Sequence, residues 1–69
     1  MDELLKQLQE LIVFRRKELN IKQEELAGLT GIAIRTIRDL EKGKGNPSLE
    51  TIEKLMGILG IQLNFSLRK

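Results

Sequence analysis

Gly31 divides residues 22–42 into two short helical segments, and the apolar side chains on either side fix how those segments must pack. Residues 22–30, KQEELAGLT, read as a helix with Glu24 and Glu25 in its first turn, where the helix dipole favours acids. Gly31 suits the left-handed turn that follows. Residues 33–42, AIRTIRDLEK, read as a second helix stopped by Gly43. Leu26 and Ala27 lie inside the first segment, and Ile37 and Leu40 inside the second. Ala27 is small where two helices must cross closely, and Ile32 in the turn can plug the angle between them. The face of the second helix left outside is Ile34, Arg35, Arg38, Asp39 and Lys42.

The rest of the chain supplies the frame. Leu4, Leu5, Leu8, Leu11, Ile12 and Leu19 recur at helical spacings and predict a first amphipathic helix, ended by Asn20. GKGNP, residues 43–47, is the one clear loop. Ser48 is a natural N-cap for LETIEKLMGIL, and Gly60 closes that helix. The period then changes. Ile61, Leu63, Phe65 and Leu67 alternate with polar residues, the signature of a half-buried strand. The expectation is a mainly α fold in a single domain, residues 1–69, with four helices and one C-terminal β-strand at about 61–67.

Composition removes most chemistry from consideration. With 69 residues there is room for one small core. The chain has no Cys and no His, so disulfides, thiolate nucleophiles, the usual zinc ligands and the neutral-pH proton shuttle are all missing. It has no Tyr or Trp and two Phe, too few to stack the bases of a single-stranded nucleic acid. No nucleophile–base pair or phosphate loop supports an enzyme, and no cofactor or metal is expected. The i,i+3 carboxylates Glu50 and Glu53 read as a solvated helix face. No apolar run approaches the roughly 18 residues that span a bilayer, and the N-terminus is acidic rather than basic, so a cytoplasmic protein is expected.

Charge is distributed unevenly. Residues 1–34 hold five basic and six acidic side chains, net −1, and residues 35–69 hold seven and four, net +3. Arg35, Arg38, Lys42 and Lys44 stand against Asp39 and Glu41 in one stretch. A local basic patch on a weakly charged body points to an anionic partner. A small residue at the crossing, a permissive turn and apolar residues behind the second helix are what a helix-turn-helix needs, and such a motif offers its second helix to the DNA major groove.

The run QEELAGLTGIAIRTIRDLEKGKGNPSLETIEKLMGILGI resembles the phage-repressor/Cro (XRE) helix-turn-helix superfamily. The matching marks are Gln23, Leu26, Ala27, Gly31, Thr36-Ile37, Leu40-Glu41, Gly43, Pro47 and Leu55 through Gly60. With Arg16 upstream, the resemblance covers about residues 11–60, with the helix-turn-helix at about 22–42. It implies a sequence-specific repressor that binds double-stranded DNA at a palindromic operator. Gln23 matches a phosphate-holding position. Ile34, Arg35 and Asp39 match base-contacting positions, and Lys42 and Lys44 match backbone-contacting ones. Arg38 shares their basic face. Arg16 and Glu41 match a structural ion pair tying the first helix to the recognition helix.

The chemistry of these residue types agrees. Arg can bond bidentate to guanine, Ile can pack on a thymine methyl, and Lys neutralises phosphate. Asp39 could accept from a cytosine amino group or orient Arg35 or Arg38. Two positions depart from the pattern. Ala33 stands where a capping side chain is usual, at a cost of about 1 kcal/mol, and Ile34 stands where a polar reader is common.

A helix-turn-helix followed by one strand is similar to the HipB-type antitoxins of the superfamily. That likeness implies an antitoxin that autoregulates its operon and binds a HipA-like kinase toxin. A stand-alone repressor without a toxin is the alternative. From another class comes a protein-interaction adaptor that has lost DNA binding. A lone strand leaves its backbone unpaired, so Ile61, Leu63, Phe65 and Leu67 are expected to pair across a homodimer.

Overall fold

The computed structural model describes residues 2–68. Four helices follow in order: α1, Asp2–Glu18; α2, Gln23–Thr30; α3, Ile34–Glu41; and α4, Leu49–Leu59. Each boundary has a local cause. α1 ends where Asn20 takes the left-handed conformation, φ 61°. The Ile21 N–H then reaches back 3.1 Å to the Arg16 carbonyl. Lys22 precedes α2 without a side-chain cap, because an ammonium has no acceptor to offer; its own N–H donates instead to Glu25 Oε1 at 3.1 Å. Gly31, φ 75°, turns the chain out of α2 and donates to the Ala27 carbonyl. Ala33 opens α3 with no side-chain hydrogen bond. Ser48 Oγ accepts the Thr51 N–H at 3.1 Å and caps α4.

The core is Leu8 and Ile12 of α1, Leu26 of α2, Ile37 and Leu40 of α3, and Ile52, Leu55 and Leu59 of α4. Ala27 and Ile32 pack against it as the helix crossing requires. Arg15 closes the far end, its Nε donating to the Leu59 carbonyl at 2.7 Å, where the last carbonyls of α4 lack partners within the helix.

Two expectations need correction. The buried face of α1 is not the whole set of leucines. Leu4, Leu11 and Leu19 are 46%, 41% and 39% exposed, while Gln9 is buried at 7%. Residues 4–19 carry more than one apolar stripe, and packing against α3 and α4 selects the one through Leu5, Leu8 and Ile12.

The second correction is the strand. Ile61, Leu63, Phe65 and Leu67 form no strand ladder among the described residues. A ladder needs a second strand, and the rest of the chain is helix and loop. Ile61 packs on the core. Leu63 and Phe65 border a groove of about 320 Å³ with Leu4, Leu5, Leu8, Pro47, Leu49 and Ile52. Phe65 remains 83% exposed and Leu67 97%.

Candidate nucleic-acid interface

α3 is held from behind by its last residue. Arg16 Nε donates to Glu41 Oε2 at 2.6 Å and Arg16 Nη2 to Glu41 Oε1 at 2.9 Å, a bidentate pair. The remaining guanidinium nitrogen, Nη1, donates to the Ile21 carbonyl at 2.8 Å. Gln23 Nε2 donates to Glu41 Oε1 at 2.9 Å. One carboxylate thus joins α1, α2 and α3, and the angle between α2 and α3 is set by polar contacts as well as by Leu26, Ile37 and Leu40.

Burying Ile37, Leu40 and the Glu41 carboxylate turns the opposite face of α3 to solvent. Arg35, Arg38, Lys42 and Lys44 are exposed, and Ile34 and Asp39 are half-buried. None of the four basic side chains has an ion-pair partner among the described residues. After α3 the chain folds back tightly, with the Lys44 N–H donating to the Asp39 carbonyl at 2.8 Å. That turn brings Lys44, Gly45 and Asn46 beside Thr36 and Asp39 around a concavity of about 210 Å³. Asp39 and Lys44 thus border one concavity, whereas Lys42 borders another, beside Lys6, Glu10, Val13 and Phe14 of α1. Gln23 opens α2 but spends one amide hydrogen on Glu41, leaving the other as a donor.

Three features escaped the sequence. Glu41 serves Gln23 as well as Arg16, and no local spacing announces an 18-residue contact across a turn. Asn46 borders the Asp39 concavity because of two left-handed glycines, Gly43 and Gly45, in the preceding loop. Asp39 forms no ion pair with Arg35 or Arg38 among the described residues.

A helix-turn-helix family model matches residues 14–65. The chain belongs to the XRE-type helix-turn-helix family. Relatives of this helix-turn-helix chain include an HTH-type transcriptional regulator of Sinorhizobium fredii, 37% identical over 54 residues, which are 78% of this chain and 71% of that protein. The immunity repressor protein of Bacillus phage phi105 is 39% identical over 71% of this chain and 34% of its own length. The cryptic phage CTXphi transcriptional repressor RstR of Vibrio cholerae is 40% identical over 70% of this chain and 43% of its own length. The match thus spans less than half of each of these two repressors. The family is one of non-enzymatic DNA-binding regulators, and the chain is not an enzyme. No helix among the described residues is long and apolar enough to cross a membrane.

Proposed function

We propose that the chain is a sequence-specific repressor that sets α3 in the major groove of an operator. The observation that carries this reading is the outer face of α3 and the turn after it: Arg35 and Arg38 on the helix and Lys42 and Lys44 just beyond it, exposed and without ion-pair partners among the described residues, on a helix locked from behind by the Arg16–Glu41–Gln23 network. Arg35 reads bases, with Ile34 beside it against a thymine methyl. Arg38, Lys42 and Lys44 neutralise phosphates, and the free amide hydrogen of Gln23 binds one more at the start of α2. An adaptor that had lost DNA binding would favour Leu, Met and aromatics at such a face, so its Arg and Lys content speaks for DNA.

Two copies act together, each contributing residues 61–67 to a shared two-stranded ribbon. Support comes from the alternation of Ile61, Leu63, Phe65 and Leu67 and from the exposure of the last two. The operator is then a near-palindrome. The names of the phage relatives favour a stand-alone repressor. The antitoxin reading, with autoregulation and a HipA-like kinase partner, rests on the C-terminal segment alone. Titrating the protein with duplex DNA from its own promoter at several salt concentrations tests the central claim. Tight, salt-dependent binding to that duplex over a scrambled one is expected; equal and weak binding to both would sink it. Co-purification with the product of a neighbouring kinase-like gene would separate antitoxin from solitary repressor.

A further inference from the structure

We propose that the groove between α1 and the end of α3 binds a small organic carboxylate, an apolar body with one negative charge, and that its occupation releases DNA. The release rests on the DNA reading above; the site does not. The groove holds about 450 Å³, within the size range of ligand pockets. Gln9 carries the assignment. It lines this groove, is only 7% exposed, and its Nε2 has no hydrogen-bond partner among the described residues. Buried polar groups are nearly always paired, so an orphan points to a water, an ion or a ligand. The amide oxygen lies on the Gly43 side, where a Cβ would stand 3.9 Å from Oε1. Gly43 also lines the groove and puts no side chain there. A half-turn of the terminal torsion, which is broad for an amide, exchanges Oε1 with Nε2 and turns the donor towards the groove.

A donor held there needs an acceptor, and charge says which kind. Glu41 is already paired with Arg16. Lys6 and Lys42 then stand against Glu10, one positive charge in excess, and neither Lys42 nor Glu10 has an ion-pair partner among the described residues. A single carboxylate answers both the amide and the excess charge. Its apolar body has a place as well: Val13 is half-buried, and Phe14 is 61% exposed on the same groove. Covering them removes apolar surface from water. Occupation reaches DNA through Lys42, which caps the end of α3. A carboxylate drawn to Lys42 takes that ammonium from its phosphate and sets a negative charge beside the helix. Ligand and operator therefore weaken each other by one common factor.

The test follows the Gln9 side-chain amide and the Gly43 amide by NMR while the free protein is titrated with 3-phenylpropionate. Saturable shifts of both are expected, with a Kd in the millimolar range or below, as suits a ligand this small. 3-Phenylpropanol, the same body without the charge, should bind far more weakly. Gln9→Met should weaken 3-phenylpropionate by roughly 10- to 150-fold, the loss of a hydrogen bond to a charged group, and should keep the wild-type fold and operator affinity. At constant ionic strength, saturating 3-phenylpropionate should raise the operator Kd of the wild type about fivefold or more and leave that of Gln9→Met unchanged. No saturable shift, equal binding of the alcohol, or undiminished binding by Gln9→Met would overturn the site; the last result would leave Gln9 holding a structural water. An unmoved operator Kd with the site filled would overturn the release of DNA. A wild type that binds no duplex would sink the DNA reading, and the NMR titration would still decide the site.

Discussion

Arg16 and Glu41 are joined by two hydrogen bonds across 25 residues of sequence, and their side chains are only 12% and 8% exposed. The pair locates α3 on α1, and Gln23 ties α2 to the same carboxylate. Removing one partner strands a buried charge. Arg16→Ala or Glu41→Ala should cost about 3–5 kcal/mol. The double variant Arg16→Met, Glu41→Leu should lose far less than the sum, because no charge remains. Thermal melts of the three decide it, and additive losses would show that the pair is not coupled.

Gly28 and Gly57 lie inside α2 and α4, and a Cβ at either would meet nothing within 4 Å. Ala at each should stabilise by about 0.5–1 kcal/mol, mainly by restricting the unfolded chain. In a domain this small that raises Tm by several degrees, about 4–8 °C per kcal/mol. Gly31→Ala and Gly60→Ala should do the reverse, since φ is +75° and +70° there. A loss of stability in Gly28→Ala or Gly57→Ala would argue against open space at that site.

Gln9 is buried, and its Nε2 has no hydrogen-bond partner among the described residues. An orphaned buried donor costs about 1–3 kcal/mol. Gln9→Met keeps the length of the side chain and removes the amide, so it should raise the urea midpoint without changing the slope. A lower midpoint would mean that the amide is satisfied after all.

On the DNA side, Arg35→Ala should cost roughly 1–3 kcal/mol at the operator and relax one base position. Lys44→Ala should weaken binding about equally on all sequences and flatten the salt slope by about one unit. Salt titrations of both variants on operator and random duplex separate the two behaviours. Wild-type binding by both would move the reading surface away from this face.

What could be read ahead of the fold was what local chemistry dictates. Ser48, Gly31, Gly60 and Asn20 mark helix ends because each satisfies or redirects backbone at its own position. Ala27, Ile32, Ile37 and Leu40 were readable because two helices around a tight turn leave one way to pack. The face of α1 was not, because Leu4 and Leu11 compete with Leu8 and Ile12 and only α3 and α4 choose between them. The Arg16–Glu41 pair followed from the family resemblance, not from spacing. The third partner of Glu41 and the solitary state of Asp39 depend on side-chain geometry across the turn, which periodicity does not encode.

The strand pattern of Ile61–Leu67 was legible, and its absence as a ladder among the described residues leads to the last prediction. Backbone N–H and C=O groups of an extended segment need partners, and this segment exposes Phe65 and Leu67 almost fully. Antiparallel pairing with the same segment of a second copy satisfies both needs through one two-fold contact. The groove bordered by Leu4, Leu8, Leu49 and Ile52 lies beside Leu63 and Phe65, ready to take apolar side chains from the ribbon. The two-fold would set two α3 helices about 34 Å apart, one turn of DNA. Leu63→Pro removes a ladder donor, and Phe65→Lys places a charge on the apolar face. The double variant should sediment as a monomer with its four helices intact by circular dichroism, and its operator affinity should collapse. A monomeric wild type, or a variant that still dimerises, would show that this segment does not build the dimer.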